Sequence, residues 1–306
     1  MKLPVLALAL LAAGASRAAE AGEPGFVPET QAPLVRRSGG FNLELLPKPF
    51  QTNPRIEMTV YSERTPWGRE QPDVSPSTPA YYVMQSQGYQ PMGSNPVREN
   101  PPPKEVIDEL MQRVLEARGF LPVRDPTKTP TLAIIYYWGS HSGLDVQDVM
   151  ENPALMDLRN RDILQRAMLV GGRGNAAKYS RQIAYGVPLS ERQAREEHLR
   201  YQIHNNLYYV VVSAYDYESL SLGQRRLVWR TTMTVNDRGL NMDETLPPLI
   251  VSATDFFGRD TGETMALERR INRRSVTLGP LMIIGVASPP IMGTPPPPAE
   301  PPAESK

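Results

Sequence analysis

Two runs of β-branched and aromatic residues near the middle of the chain constrain its fold more than any other feature. They span residues 207–217 and 227–235, and residues of these types pack well on a pleated surface. In the second run, apolar residues such as Trp229 and Met233 alternate with polar ones, which is typical of a strand with one buried face. The connection 218–226 is polar and contains a glycine, so the two runs predict an antiparallel hairpin with a longish loop. The hairpin indicates a sheet and a core, but it does not indicate a reaction.

Four other segments extend this core. Residues 56–62 alternate between apolar and polar side chains, which predicts a strand. An apolar stripe with helical spacing runs from Pro103 to Gly119, two residues that suit a helix start and the position just past its end. Residues 131–138 are apolar without alternation, which indicates a strand covered on both faces. With a last helix expected at 246–257, the predicted fold class is α+β, a small, mostly antiparallel sheet packed by helices.

Composition divides the 306 residues further. The segment before the first strand is rich in glycine, proline and polar residues, and a proline run near the end favours polyproline II without a core of its own. The predicted organisation is a signal peptide (1–19), an extended arm (20–54), an α+β domain (55–287) with a long loop (63–102) and a helical insertion (139–206), and a disordered proline-rich tail (288–306). The insertion is expected to contain a polar loop (139–152), a helix (154–170) and a solvated helix (190–204).

The first residues predict export. Lys2 is followed by the apolar run 3–13 and by small residues up to Ala19, a pattern typical of a secretory signal peptide and too short to cross a bilayer. We therefore expect a periplasmic or secreted protein, with no transmembrane span once the signal is removed. The chain has no cysteine, which excludes disulfides, thiolate metal sites, a cysteine nucleophile and a lipid attached to cysteine.

The charge is balanced, with 33 basic and 33 acidic residues, which gives no reason to expect a nucleic-acid partner. One local concentration of positive charge is a candidate contact for an anionic partner, such as a lipid headgroup or a cell-wall polymer. It consists of Arg269, Arg270, Arg273 and Arg274. The alternative interpretation is a solvated or salt-bridged face.

A glycine-containing run resembles a nucleotide-binding fingerprint. Residues 172–177 read Gly-Arg-Gly-Asn-Ala-Ala, and such glycines allow a backbone to approach a pyrophosphate at the start of a helix. The fingerprint needs a preceding strand, whereas the preceding residues 154–170 have a helical pattern. We therefore interpret the run as a helix-breaking loop and predict no cofactor.

The polar residues around His141 are the candidate catalytic group. His141 is close in sequence to Ser140, Ser142, Asp145 and Asp148, but a nucleophile, base and orienting group must also meet in space. Together with Glu151, the same aspartates carry oxygen ligands suited to calcium, but without the spacing of a calcium loop. A solvated loop is the alternative for both, and we predict no metal site.

The order of elements resembles a family of small exported bacterial proteins of unknown function, many of them lipoproteins. The resemblance covers 56–62, 104–138 and 207–257, and its most specific part is the Leu-Val-Trp-Arg run at 227–230. The insertion 139–206, the proline-rich tail and the absence of cysteine depart from the family pattern. The resemblance implies an α+β fold in the periplasm, and it implies no catalytic residues.

These observations favour a non-enzymatic exported envelope protein that binds a protein or a cell-envelope polymer. One alternative is an envelope hydrolase that uses the 139–152 loop. Another is a structural subunit of an envelope assembly, with the helical insertion as its contact surface. The sequence leaves the partner and the oligomeric state open.

Overall fold

The computed structural model describes residues 34–35, 47–96, 99–125, 127–185 and 193–271. The strands within these ranges are β1 (Leu34–Val35), β2 (Arg55–Arg64), β3 (Ala80–Tyr89), β4 (Phe120–Pro122), β5 (Leu132–His141), β6 (Leu207–Asp216), β7 (Leu227–Asn236) and β8 (Met265–Arg270). These eight described strands form one sheet in the order β1-β8-β2-β7-β6-β5-β3-β4. β3 pairs in parallel with β5 and β4, and the other neighbouring strands pair antiparallel. The predicted α+β class is confirmed, with a larger sheet than expected.

Helices lie on both faces of the sheet. They are α1 (Pro66–Glu70), α2 (Lys104–Glu116), α3 (Val146–Glu151), α4 (Met156–Tyr185), α5 (Gln193–His204), α6 (Tyr217–Ser221) and α7 (Met242–Ser252). On what we call the first face, α2 and α7 pack against residues such as Met58, Ile134 and Met233. On the second face, α4 and α5 pack against Tyr209 and Val211.

The predicted hairpin is confirmed as β6 and β7. Val210 lies opposite Met233 in the register, and the connection contains α6, whose first turn is capped by the Asp216 carboxylate accepting from the Ser219 N–H at 2.8 Å. The expectation of a half-buried β7 is wrong, because Thr232 and Thr234 on its polar side are also buried. Helices with polar inner surfaces cover that side. The alternation along β7 therefore distinguishes an apolar buried face from a polar buried face, and not a buried face from an exposed one.

The predicted helix and both other strands are confirmed. Helix α2 begins directly after Pro103, and Gly119 adopts a positive φ of 89° just past its end, a conformation that favours glycine. Strand β2 is three residues longer than predicted, one residue before and two after 56–62. Strand β5 continues to His141, so the first part of the predicted 139–152 loop is wrong. The rest of that segment contains α3, whose N-terminus is closed by a capping box.

The prediction of a long loop over 63–102 is wrong, because this segment contains α1 and β3. Tyr82 of β3 is buried on the first face, whereas Val83, Gln85 and Gln87 are exposed on the second. The exposed side of β3 is mostly polar and prolines lie nearby, so its sequence shows little of the apolar periodicity that predicts a strand. The last helix was also misplaced, since α7 begins at Met242.

The helices predicted within the insertion correspond to α4 and α5, whereas α3 lies in the segment predicted as a loop. α4 is kinked at Gly171 and Gly172, the second with φ 66°. The expectation of a solvated helix is wrong for α5, because His198 and Gln202 are buried against β2. His198 Nδ1 lies 3.1 Å from a Glu57 carboxylate oxygen, and Gln202 Nε2 donates to the Glu57 carbonyl at 3.0 Å.

Two predicted segments lie wholly outside the described residues, the signal peptide 1–19 and the tail 288–306. Part of the predicted arm is described: β1 pairs with β8, and Lys48–Phe50 form a turn of 3₁₀ helix. In the described part of the chain, no helix combines the length and the apolar character needed to cross a membrane.

Candidate functional site

A cavity of about 690 Å³ opens at one end of the sheet, where β2 and β6 end and β5 and β7 begin. We call it the basal pocket. Its floor consists of Phe120, Leu132, Val228, Trp229 and Gly258, and its rim includes Arg64, Asp73, Asp216, Glu218 and Ser221. Antiparallel pairing places these residues together, because it brings the end of one strand beside the start of the next.

The floor is an aromatic cluster. The rings of Phe120 and Trp229 are 5.5 Å apart at 53°, and Trp229 and Phe257 are 6.1 Å apart. Gly258 closes the cluster with φ 71°, and a Cβ there would lie 2.9 Å from Phe120 Cζ. A larger residue at this position would therefore displace the ring that forms the floor.

One polar group in the floor has no partner. Trp229 is 2% exposed, and its indole N–H finds no hydrogen-bond acceptor among the described residues. A buried donor without an acceptor is costly to the folded state. The N–H is enclosed within the aromatic floor, where less than 1 Å² of its nitrogen is exposed.

The rim carries opposite charges in different situations. The Arg64 guanidinium pairs with the Asp73 carboxylate, and it donates to the carbonyls of Gly68 and Gln71, the latter at 2.8 Å. These contacts neutralise Arg64 and hold the wall that follows β2. Asp216 caps α6 through its carboxylate, and Glu218 is exposed. Among the described residues that line the pocket, the acidic side chains Asp73, Asp216 and Glu218 outnumber the basic side chain Arg64.

The sequence-predicted candidate His141 lies elsewhere. His141 is the last residue of β5, whereas the pocket is lined by Leu132, the first residue of β5. Along an extended strand these two residues are about 30 Å apart. His141 is fully buried with Nε2 2.9 Å from the Gln165 side-chain oxygen. Burial lowers its pKa, so the ring is neutral at physiological pH.

The acidic residues near His141 have structural contacts instead. Asp145 and Asp148 accept from each other's backbone N–H groups at 3.0 and 2.8 Å, which caps α3. Glu151 accepts from Gln147 at 2.7 Å. The structure therefore does not bring these carboxylates to the imidazole. Among the described residues, no group of three or more His, Cys, Asp or Glu side chains is placed to hold a metal ion.

The arginine cluster is divided by the structure. Arg269 donates to the Ser252 hydroxyl of α7 at 3.3 Å, and its burial lowers its pKa. Arg270 is exposed on the other face, because consecutive residues of a strand point in opposite directions. Arg273 and Arg274 lie outside the described residues.

The glycine run 172–177 lies inside α4, after helix rather than after a strand. Gly172 packs against a strand side chain: a Cβ on it would lie 2.3 Å from Tyr61 Cε1. The absence of a side chain at Gly172 therefore allows the kinked helix α4 to approach β2 closely.

Sequence reasoning missed the basal pocket. Its residues come from several separate segments, of which the Leu-Val-Trp-Arg run at 227–230 was the most specific in the sequence. The signal that was present is a tryptophan at the start of a strand beside a polar connection.

No protein-family model matches this sequence, and no curated protein matches it. Comparison of structures finds similarity to a PDZ domain protein from Parabacteroides distasonis, at 10% identity and a TM-score of 0.33, over 71% of this chain and 39% of that one. The chain thus aligns to less than half of that protein's length. A similarity of this degree supports no conclusion about this chain.

Proposed function

We propose that this chain is an exported, non-enzymatic binding protein of the cell envelope, and that the basal pocket holds the apolar part of its partner. The partner is an envelope protein or a cell-wall polymer. The observation that carries the proposal is the pocket itself, whose volume of about 690 Å³ falls within the range of roughly 300–1,000 Å³ common for ligand sites.

The chemistry of the pocket supports binding. Its floor is aromatic and aliphatic, and a few polar groups converge on it, as in most sites that bind small or side-chain-sized ligands. The sequence of residues 1–19 supports export. Mass measurement of the mature protein from fractionated cells tests export, because cleavage near Ala19 removes the first residues.

Binding is tested with a neutral apolar fluorophore, N-phenyl-1-naphthylamine, and the mature protein. We expect its emission to rise on addition of the protein, because the floor excludes water. Ser221→Trp fills the pocket mouth. We expect it to weaken binding of the fluorophore about tenfold, which corresponds to about 1.4 kcal/mol of binding free energy.

The matched control is Leu222→Trp, since Leu222 is the adjacent residue, is 72% exposed and does not line the pocket. Equal binding by both variants would contradict the proposal. The non-enzymatic part would be contradicted by turnover of an envelope substrate that is lost in His141→Ala.

A further inference from the structure

We propose that α4 and α5 carry a phosphate-binding site, in which Arg159 and Arg200 contact the phosphate oxygens beside His204. The site belongs to the helices of the second face, and it does not depend on the basal pocket. Two observations carry the proposal. The first is a pair of exposed guanidinium groups without carboxylate partners, and the second is an arginine buried behind them.

The two helices bring these side chains together at the end of α5. Arg200 and His204 are four residues apart on α5, which places them side by side on one face. Arg166 of α4 lies at the same end, since its Nη1 donates to the Asn206 side-chain oxygen at 3.4 Å, just past the last residue of α5. Arg159 is seven residues before Arg166, so it lies on nearly the same side of α4, about two turns earlier.

Arg159 directs the end of its guanidinium outward. Its Nε is buried without a hydrogen-bond partner, and its two terminal nitrogens, which also have no partner among the described residues, are exposed. The terminal N–H groups of a guanidinium form a planar fork that matches two oxygens of a phosphate. Arg200 is exposed, and in the described part of the chain it also has no carboxylate partner. Both guanidinium groups are therefore free to bind an anion.

Arg166 places a third positive charge behind this surface. The residue is 2% exposed, and its Nε has no hydrogen-bond partner. A buried guanidinium is costly unless its charge is compensated. The charges of Asp162 and Asp237 offset part of this cost, but among the described residues neither carboxylate forms a direct ion pair with Arg166. An anion at the surface lowers the remaining cost without touching Arg166, because charges interact over several ångströms.

The environment of His204 reflects the same excess of positive charge. Its ring packs edge-on against Tyr179, with the ring centroids 6.1 Å apart, while the rest of the residue is exposed. Partial burial, and then the positive charges of Arg159, Arg166 and Arg200, lower the pKa of His204 to about 4. Among the described residues, no carboxylate acts on this pKa in the opposite direction. The imidazole is therefore neutral at physiological pH, and it can donate an N–H to a phosphate oxygen.

The charge and the geometry favour a phosphate over a carboxylate. A phosphate monoester has a charge of about −1.5 to −2 at pH 7 and three terminal oxygens, so it can accept from two guanidinium groups and an imidazole together. A carboxylate has one charge and two oxygens. Against Asp157 and Asp162, α4 contains six basic residues, which are Arg159, Arg161, Arg166, Arg173, Lys178 and Arg181. The site therefore suits the phosphate group of a soluble molecule or of a lipid headgroup.

Phenyl phosphate and benzoate test the site on the unmodified protein, because they share a ring and differ in the anionic group. Binding is followed by NMR through the ring resonances of the three histidines, His141, His198 and His204. We expect phenyl phosphate to shift the resonances of His204 and to leave those of the buried His141 and His198 unchanged. Benzoate should bind about tenfold more weakly. Unchanged resonances of His204 would overturn the site, and equal affinities would overturn the preference for phosphate.

Substitutions on α4 separate the site from general attraction to a basic helix. Arg159→Gln should weaken phenyl phosphate binding about tenfold, through loss of one charge-assisted contact. Arg159→Lys keeps the charge but not the fork, so it should recover only part of the affinity. The matched control is Arg161→Gln, an exposed change two positions along the same helix and on its other side, which should leave the affinity nearly unchanged.

Two results with these variants would overturn the proposal. Equal weakening by Arg159→Gln and Arg161→Gln would show that the phosphate is attracted by the charge of α4 as a whole. Arginines near the end of α5 could instead serve its terminal carbonyl groups, which attract positive charge. In that case Arg159→Gln would lower the free energy of unfolding in urea and leave phenyl phosphate binding unchanged.

Vesicles distinguish the two sources of the phosphate. Phosphatidylcholine vesicles with and without phosphatidic acid, whose headgroup is a phosphate monoester, are sedimented with the protein. Sedimentation of the protein that requires phosphatidic acid, and that is lost in Arg159→Gln but not in Arg161→Gln, indicates a lipid headgroup. Binding of phenyl phosphate without sedimentation indicates the phosphate of a soluble molecule. If the protein binds neither phenyl phosphate nor these vesicles, the proposal is wrong.

Discussion

The two faces of the central sheet are buried by different chemistry, although the same strands build both. On the first face, α2 and α7 contribute apolar side chains such as Met111 and Leu249 to a large hydrophobic cluster. On the second face, α4 and α5 bury Asp162, Arg166 and Gln202 beside a smaller apolar cluster. The helices of the first face therefore pack on the sheet mainly through the hydrophobic effect. Those of the second face also bury polar side chains, whose contacts include the bond from Gln202 Nε2 to the Glu57 carbonyl.

This difference shows what holds each layer in place. Apolar contacts are nondirectional and tolerate small shifts. A buried carboxylate is stable only while its donors remain aligned. We therefore expect the second face to be more sensitive to changes of charge and pH than the first, and the following predictions test that comparison.

The largest effect is expected at Asp162. Its carboxylate accepts from the backbone N–H groups of Ser94 at 3.0 Å and Leu144 at 3.2 Å, and it also bonds with the Ser94 hydroxyl. Asp162→Ala would leave these donors, and the nearby buried Arg166, without the carboxylate. We expect a loss of about 3–5 kcal/mol in the free energy of unfolding, measured in urea. Asp148→Ala, which removes a cap on the more exposed α3, should cost only about 1 kcal/mol; equal losses would contradict the comparison.

The first face provides the next largest effect. Leu249 of α7 is fully buried in the apolar cluster. Leu249→Ala should lower the free energy of unfolding by about 3 kcal/mol through lost transfer energy and a cavity. This loss should be the same at pH 5 and pH 8, because no titratable group is removed. A loss that changes strongly with pH would show that the two faces are not separate.

The first face was also the more predictable one. The periodicity of α2 and of β2 identified its residues directly, because α2 has one apolar stripe and β2 places its apolar side chains Ile56, Met58 and Val60 on one face. The second face was missed. His198 and Gln202 are polar residues that suggested a solvated helix, and only the assembled sheet provides partners such as Glu57 that make their burial possible.

The same reasoning explains why the pocket was not predicted. Trp229 was marked by its strand pattern, but the pattern could not indicate that its N–H would lack an acceptor. Gly258 and Phe120 are far apart in sequence, and their contact depends on the sheet order. A composite site of this type leaves no local spacing in the sequence, in contrast to a motif on one helix.

A third prediction concerns pH and Asp237, which lies near the second face. Burial, and then the negative charge of Glu99, raise its pKa to about 6, above the value of about 4 for an unfolded chain. The folded state thus binds the proton more tightly. The contribution of the Asp237 side chain to the free energy of unfolding is therefore favourable below about pH 4, where the group is protonated, and is lost as pH rises through 6.

Asp237→Asn should therefore raise the free energy of unfolding by about 1–2 kcal/mol at pH 7.5, after allowance for partial exposure. The gain should disappear by pH 4. Asp157→Asn, an exposed change in the first turn of α4, is the control and should give no gain. His141 has the opposite sign: its lowered pKa means that stability is lost as pH falls below about 6.5. A gain in Asp237→Asn that persists at pH 4 would show that the carboxylate is not the cause.

The smallest effect is expected where the second face could be made like the first. Thr59 of β2 and Thr234 of β7 are directly opposite in the register, and their buried hydroxyls bond to each other. Replacing one of them with valine leaves the other hydroxyl unpaired, so each single change should cost about 1 kcal/mol or more in the free energy of unfolding.

Replacing both threonines removes the two polar groups together, and the double variant should be nearly as stable as the original. A double-mutant cycle by urea unfolding measures this coupling, which we expect to be about 2 kcal/mol, because the double variant avoids both single losses. A cycle of Thr59→Val with Thr231→Val is the control, because Thr231 bonds with Ser62 instead, and its effects should add. Additive losses in the first cycle would mean that the polar layer tolerates unpaired hydroxyls, and the difference between the two faces would then be one of composition rather than of energy.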